Sequence, residues 1–165
     1  MEEGQVVLAS LLTTGGMAVF DRHPELLEIW PEAATENMLA ATRRWTEDPT
    51  DGEIFLIFVN REVAGLTGWY EIDDGLPTRA EIGLRWHGLV PRFRKRGMSR
   101  AALGMLARRL PKQALFLYDL ATREDVIAYF AALWFTVCDK PCLLGQLPYG
   151  KETVLRGSVP FLRTL

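Results

Sequence analysis

The spacing of apolar residues changes character along the chain. Gln5–Ser10 is a short β-rich run, and Thr13-Thr14-Gly15-Gly16 after it reads as a loop. Between Asp21 and Trp45 the spacing becomes helical. One helix is expected to start near Asp21, with Pro24 at an early position and Leu26, Leu27 and Trp30 along it; a second runs from about Pro31 to Trp45 with Met38, Leu39 and Thr42 at helical spacing. The turn Asp48-Pro49-Thr50-Asp51-Gly52 closes this region. Three strands are then predicted in succession: Ile54–Val59, Glu62–Ile72 after a tight Asn60-Arg61 turn, and Ala80–Leu89 after Asp73-Asp74-Gly75-Leu76-Pro77.

Beyond this meander the pattern alternates. Ser99–Leu110 carries Ala102, Leu103, Leu106 and Leu110 on one helical face, and Pro111 stops it. Ala114–Leu120 is a continuous apolar strand, Thr122–Leu133 a helix opened by an N-cap threonine, Phe135–Cys138 a further strand and Thr153–Val159 the last. A meander followed by strand and helix in alternation predicts an α/β chain whose sheet is mixed rather than purely parallel. With 165 residues, 48% of them hydrophobic, one domain spanning 1–165 is expected. The final Val159–Leu165 segment fits either a sheet edge or a homodimer contact.

Charge sharpens the picture. The formal net charge is −2, against the strong basic excess of a dedicated nucleic-acid or anionic-membrane binder. Residues 1–60 hold eleven acids against three bases, a charge of −8, and the remainder carries +6. One part of the chain is suited to meeting cations and the other to meeting anions. The two cysteines, Cys138 and Cys142, form a lone C-x3-C with no nearby histidine, which predicts ordinary thiols in a reducing compartment and no metal site. Glu2 and Glu3 stand where a signal peptide would be basic, and the longest apolar run, Val126–Cys138, has 13 residues, short of the ~20 that span a bilayer. A cytoplasmic protein without a membrane partner is the expectation.

The segment Val90–Arg100 carries the chemistry: five of its eleven residues are Arg or Lys, and Gly97 and Ser99 sit where the next helix begins. A helix N-terminus offers unpaired N–H groups and about half a positive charge, so a turn of small residues there can wrap a phosphate. A solvated basic face and contact with nucleic-acid phosphates are the competing readings. The Lys-Ser/Thr ending of a P-loop and the three-glycine spacing of a dinucleotide fold are both missing, which removes nucleotide triphosphatases and nicotinamide enzymes.

Val90-Pro91, then Arg94-x-x-Gly97-x-Ser99, then Ala101-Ala102-Leu103 resembles the pyrophosphate motif of the GCN5-related N-acetyltransferases (GNAT family), and Ile127–Phe135 resembles that family's later aromatic helix running into a strand. The resemblance covers nearly the whole chain. It implies an acyl-CoA N-acyltransferase-like α/β (α+β) fold with a mixed, mostly antiparallel central sheet and helices on both faces. It also implies acetyl-CoA as co-substrate and direct transfer of the acetyl group to an amine. Arg94, Lys95, Arg96, Gly97, Met98 and Ser99 would cradle the pyrophosphate, and amides near Leu89 and Val90 would hold the pantetheine and polarise the thioester. Thr122 stands where the family often has an asparagine on the cofactor. Phe130, expected at the cofactor site, occupies the place of the tyrosine that often protonates the leaving thiolate and has no proton to give, and Trp134 occupies that of a usual glycine; Tyr129 is adjacent but about 100° around a helix, so it takes the catalytic place only if the helix is rotated or the alignment slips by one.

An alkylammonium acceptor with a pKa of ~10.4 must first lose a proton, at a cost of about 4–5 kcal/mol at pH 7, so a base is expected. Glu81 and His87 are the candidates, with catalysis by proximity and thioester polarisation alone as the other option. The helices before the meander carry Glu25, Glu28, Glu32 and Glu36. These read either as solvated faces or as a lure for a cationic acceptor such as a lysine side chain, a polyamine or an aminoglycoside. The alternative to an enzyme is a catalytically degenerate acyl-CoA-binding or protein-interaction module of the same fold, with Phe130 and Trp134 as the features in its favour.

Overall fold

The central strands are apolar on both faces, and in the structure both faces are covered. The structure is a computed structural model that describes residues 4–72, 81–121, 123–138 and 153–165. Strands β1 (Val6–Ser10), β2 (Glu53–Val59) and β3 (Glu62–Glu71) pair antiparallel, and Ile54, Leu56, Ile57, Ala64 and Leu66 are almost wholly buried. The β2–β3 connection is the two-residue turn expected at Asn60-Arg61, with φ +50° and +70°, the left-handed pair that matches strand twist. The Asn60 side chain and N–H both bond Gln5, tying the turn to the start of β1.

The third meander strand is divided. β4 (Glu81–Leu84) and β5 (Gly88–Leu89) both pair with β3, separated by Arg85-Trp86-His87. The chain continues through a turn and a helix at Met98–Arg109, then β6 (Phe116–Ala121), a helix at Glu124–Ala132, β7 (Thr136–Val137) and β8 (Thr153–Ser158). The sheet has eight strands in the order β1-β2-β3-β4-β6-β8-β7, with β5 beside β3. Only β4 and β6 run parallel among the described pairs, so the sheet is mixed and mostly antiparallel.

Several boundaries depart from the expectations. The first expected helix is two pieces, α1 (Val19–Arg22) and a 3-10 turn at Pro24–Glu28, because Pro24 has no N–H to continue the ladder. Helix α2 spans Glu32–Glu47 and buries Met38, Thr42 and Trp45. The Thr13–Gly16 loop lies within two consecutive 3-10 turns, Leu11–Thr14 and Gly16–Ala18. Helix α3 spans Met98–Arg109 and stops at Leu110, which Pro111 forces to an extended ψ of 157°. Helix α4 (Glu124–Ala132) has Arg123 at its N-cap position with no side-chain cap, and the threonine expected to open it, Thr122, lies outside the described residues.

The chain's last segment is not a sheet edge. It folds as the short helix α5 (Val159–Leu162) against α3, with Val159 and Leu162 fully buried and the Arg163 guanidinium donating to the carbonyls of Ala107 and Pro111. No helix among the described residues is long and apolar enough to cross a membrane.

Candidate active site

A bulge in the third meander strand opens the site. Leu84 faces Trp69 and Gly88 faces Leu66, so five residues of one strand oppose four of the other. Trp86 absorbs the extra residue at φ +49°. β6 pairs with β4 from Glu81 to Gly83 and then parts from the strand. Past the bulge, the N–H of Val90 donates to Ala64 O at 2.8 Å. Antiparallel alternation therefore turns the N–H and C=O of Leu89 away from β3, towards the gap beside β6. This corrects one expectation: the Val90 amide is committed to the sheet, and Leu89 is the residue whose amide faces the gap.

The chain then makes the 3-10 turn Pro91–Phe93 and a loop in which Lys95 and Gly97 adopt left-handed φ of +63° and +75°. Alternation of this kind brings successive N–H groups to one concave side. In α3 the first i−4 bond runs from Ala101 to Gly97 O, and no side chain caps the helix, so the N–H groups of Gly97, Met98, Ser99 and Arg100 have no intrahelical partner. A Cβ on Gly97 would meet no atom within 4 Å, so the concavity is open. Lys95 and Arg96 are exposed around it.

Arg94 is used differently from the rest of the basic run. Its Nε donates to Leu89 O at 2.9 Å and its Nη2 to Ile29 O at 3.0 Å. The guanidinium thus ties the end of β5 to the helical wall before α2, within electrostatic reach of Tyr129. The same wall closes over the bulge: Trp30 meets Trp86 edge-on at 5.9 Å, and a Cβ on Gly88 would come within 2.4 Å of Ile29.

His87 is not placed to act as the base. Its Nδ1 bonds Thr67 Oγ1 at 2.9 Å, its Nε2 bonds Ser99 Oγ at 2.7 Å, and burial lowers its pKa from 6.5 to about 4. Both ring nitrogens are engaged by hydroxyls of the protein, on the α3 face of the sheet. Phe130 is likewise displaced from its expected role. It is 4% exposed and packs on Phe135 at 5.1 Å, so it belongs to the core under α4. Tyr129 is the residue left facing outward, at 41% exposure. Burial raises its hydroxyl to about 12, and the nearby Arg94 guanidinium pulls the other way, which places Tyr129 within electrostatic reach of the gap's rim. Thr122 cannot be assigned, being outside the described residues.

Glu81 lies on the other face of the sheet, in company that sequence reasoning missed. Its Oε1 accepts from the Tyr118 hydroxyl at 2.8 Å. Tyr118 also bonds Arg156, whose guanidinium sits 4.3 Å over Phe116, and burial with the Glu81 carboxylate raises the Tyr118 pKa. Tyr70 lies across Gly83, where a Cβ would come within 2.1 Å of its ring, and the Arg85 guanidinium sits 5.3 Å from the centre of that ring while bonding Asp51. The one available signal was register: the parallel pairing of Glu81 with Phe116 and Gly83 with Tyr118 puts all four on one face. Among the described residues no group of three or more His, Cys, Asp or Glu converges as a metal site would require.

Glu25 lies 3.8 Å from His23, and Glu32 and Glu36 are exposed on α2.

No family model and no curated protein matches the sequence. Solved structures do match the fold. An acetyltransferase from Thermus thermophilus superposes with a TM-score of 0.67 at 18% identity, covering 96% of this chain and 99% of that one. A GNAT family acetyltransferase from Elizabethkingia anophelis with acetyl-CoA bound gives 0.58 at 15% identity, covering 96% and 99%. The aminoglycoside acetyltransferase AAC(6')-Ib in complex with coenzyme A and kanamycin gives 0.63 at 10% identity, covering 93% and 95%. The fold is that of the GNAT acetyltransferases.

Proposed function

We propose that this chain is an N-acetyltransferase that moves the acetyl group of acetyl-CoA directly onto an amine. The observation that carries the reading is the uncapped N-terminus of α3 behind the left-handed Lys95–Gly97 loop, set at the mouth of a gap that β6 and the bulged strand leave between them. It is a built site for a diphosphate with room beside it for an extended chain. The solved neighbours that hold coenzyme A or acetyl-CoA in the same fold support it.

In this reading the backbone N–H groups of residues 95–99 hold the pyrophosphate and the Leu89 amide polarises the thioester carbonyl. The neutral amine nitrogen attacks that carbonyl carbon, the C–S bond breaks, and the nitrogen's second proton passes through water to the departing sulfur, which leaves as the thiol along the side of the gap that Tyr129 borders. Tyr129, raised to about 12, keeps its proton at neutral pH and offers it as a hydrogen bond to the sulfur. Glu81, joined to Tyr118 on the opposite face, is the base to which the ammonium proton is lost, directly or through water. The exposed acids before and along α2 favour a cationic acceptor.

A binding module that has lost turnover is the second reading. Its main sequence argument was Phe130, and that side chain lies in the core with Tyr129 turned outward. Thermal unfolding with CoA and with acetyl-CoA, followed by free-thiol release from acetyl-CoA over a panel of amines, separates the two. Stabilisation with amine-dependent thiol release is expected. Stabilisation without release supports the module, and no shift with either CoA species overturns the acetyl-CoA site itself.

A further inference from the structure

Thr67 sits at the centre of β3 with no exposed surface, and its hydroxyl has one hydrogen-bond partner among the described residues, His87 Nδ1 at 2.9 Å. A buried hydroxyl hydrogen without an acceptor forfeits its hydration and gains nothing, so Thr67 must donate to Nδ1. That nitrogen is then bare, and in a neutral imidazole the single proton stands on Nε2. Nε2–H in turn donates to Ser99 Oγ at 2.7 Å. Ser99 therefore accepts from the ring, and its own hydrogen is free to point elsewhere. The opposite tautomer strands the Thr67 hydrogen in the core and uses up the Ser99 hydrogen on Nε2.

Ser99 is the second residue of α3, inside the uncapped turn whose N–H groups face the open space beside Gly97. We propose that His87 is a positioning residue which, by fixing Ser99 as an acceptor, makes the Ser99 hydroxyl a side-chain donor to a pyrophosphate oxygen of the CoA substrate. The inference rests on the acetyl-CoA reading and adds a side-chain contact to a turn that otherwise binds through backbone alone. It gives a reason for serine where the resembled motif has glycine or alanine. It also gives a reason for the buried Thr67, since without that hydroxyl nothing selects the ring's tautomer.

Long-range proton–nitrogen NMR of the His87 ring in the ligand-free protein at neutral pH should show the neutral form protonated on Nε2. A ring protonated on Nδ1 overturns the proposal whatever CoA does. By calorimetry, Ser99→Ala should weaken CoA about tenfold, the loss of one hydrogen bond to a charged group, and Ser99→Thr should recover most of it. Dephospho-CoA, which keeps the pyrophosphate, should suffer the same loss; a loss confined to CoA would move the contact to the 3′-phosphate and overturn the assignment. Thr67→Val, remote from the ligand, should weaken CoA while leaving the hydroxyl of Ser99 in place. Wild-type affinity for CoA with no change in Ser99→Ala overturns this proposal alone, whereas a wild-type chain that does not bind CoA overturns the acetyl-CoA reading beneath it.

Discussion

The depressed pKa of His87 makes the stability of this chain depend on acid in a way that can be isolated. In the folded protein the imidazole stays neutral down to about 4, because burial penalises its charged form; unfolded, it takes a proton near 6.5. As pH falls through that interval the unfolded state binds a proton that the native state refuses, so stability is complete above 6.5, is lost on the way down and levels off below 4. The full interval corresponds to about 3 kcal/mol at 1.4 kcal/mol per pH unit, and between pH 8 and pH 5 the loss is about 2 kcal/mol. The residue's partial exposure makes these upper values. Urea unfolding of the wild type and of His87→Gln across that range tests it, because His23 and the carboxylates contribute equally to both and cancel in the difference. Wild type should be the more stable at pH 8 by the value of its two hydroxyl contacts, and its advantage should shrink by up to 2 kcal/mol at pH 5. An advantage that stays constant across the range would mean that His87 titrates in the fold as it does in the unfolded chain, and one that grows toward pH 5 would mean that it is held protonated; either result brings down the bonding scheme around it.

Further outcomes follow from the same geometry. Gly97→Ala should cost about 1–2 kcal/mol in folding, from a φ of +75° with open space around the position, while Gly97→Glu should fold about as well and bind CoA at least 50-fold more weakly by charge repulsion; calorimetry showing equal affinity for the two would refute the cradle. Tyr129→Phe should lower kcat about tenfold rather than abolish it, because full transfer from a phenol of about 12 to a thiolate of ~8.5 is uphill by about 5 kcal/mol and only hydrogen-bond stabilisation is lost. Arg94→Ala should destabilise by about 2–3 kcal/mol in chemical unfolding through the loss of two carbonyl contacts 65 and 5 residues away, and Arg94→Lys should not rescue it, since one ammonium cannot span both. With a cationic amine, kcat/KM should fall as salt rises, and Glu28→Gln with Glu32→Gln should raise KM more than they lower kcat; steady-state rates indifferent to both would remove the acidic wall from acceptor binding.

What the sequence showed and what it hid divide along a physical line. The meander, the α3 face and the Arg94–Gly97–Ser99 spacing were legible because each is local: a turn, a helical repeat, glycine and serine at a helix start. The partners of the site residues were not. His87 meets Thr67 and Ser99 at separations of 20 and 12 residues, and Glu81 meets Tyr118 across 37; sheet register fixes the first and the last, and the seating of α3 on the sheet fixes the second. The phase of α4 was hidden for another reason. From Val126 to Ala132 every residue is apolar or aromatic, so periodicity cannot choose between Tyr129 and Phe130, and the choice is made by Phe135 and Leu133, which bury Phe130 from the following turn.

The bulge at Trp86 joins these observations. In a regular strand residues three apart point to opposite faces, so Leu84 and His87 would be separated by the sheet. The extra residue resets the alternation, and both come to the α3 face, Leu84 opposite Trp69 and His87 against Thr67. Gly88 then turns to the opposite face, beneath Ile29 and Trp30, where its missing Cβ lets the helical wall descend. The chain meets α3 and the helical wall with two consecutive residues. Holding Trp86 left-handed costs about 1–2 kcal/mol, offset by its edge contact with Trp30 at 5.9 Å and by the Arg85 pairing with Asp51. The division of charge between the chain's two parts follows the same plan, with the basic run beyond the bulge at the start of α3 and the acids on the wall that Arg94 ties down at Ile29. Deleting Trp86 would therefore do more than remove a side chain: it would return His87 to the wrong face and take Ser99's partner away from the start of α3.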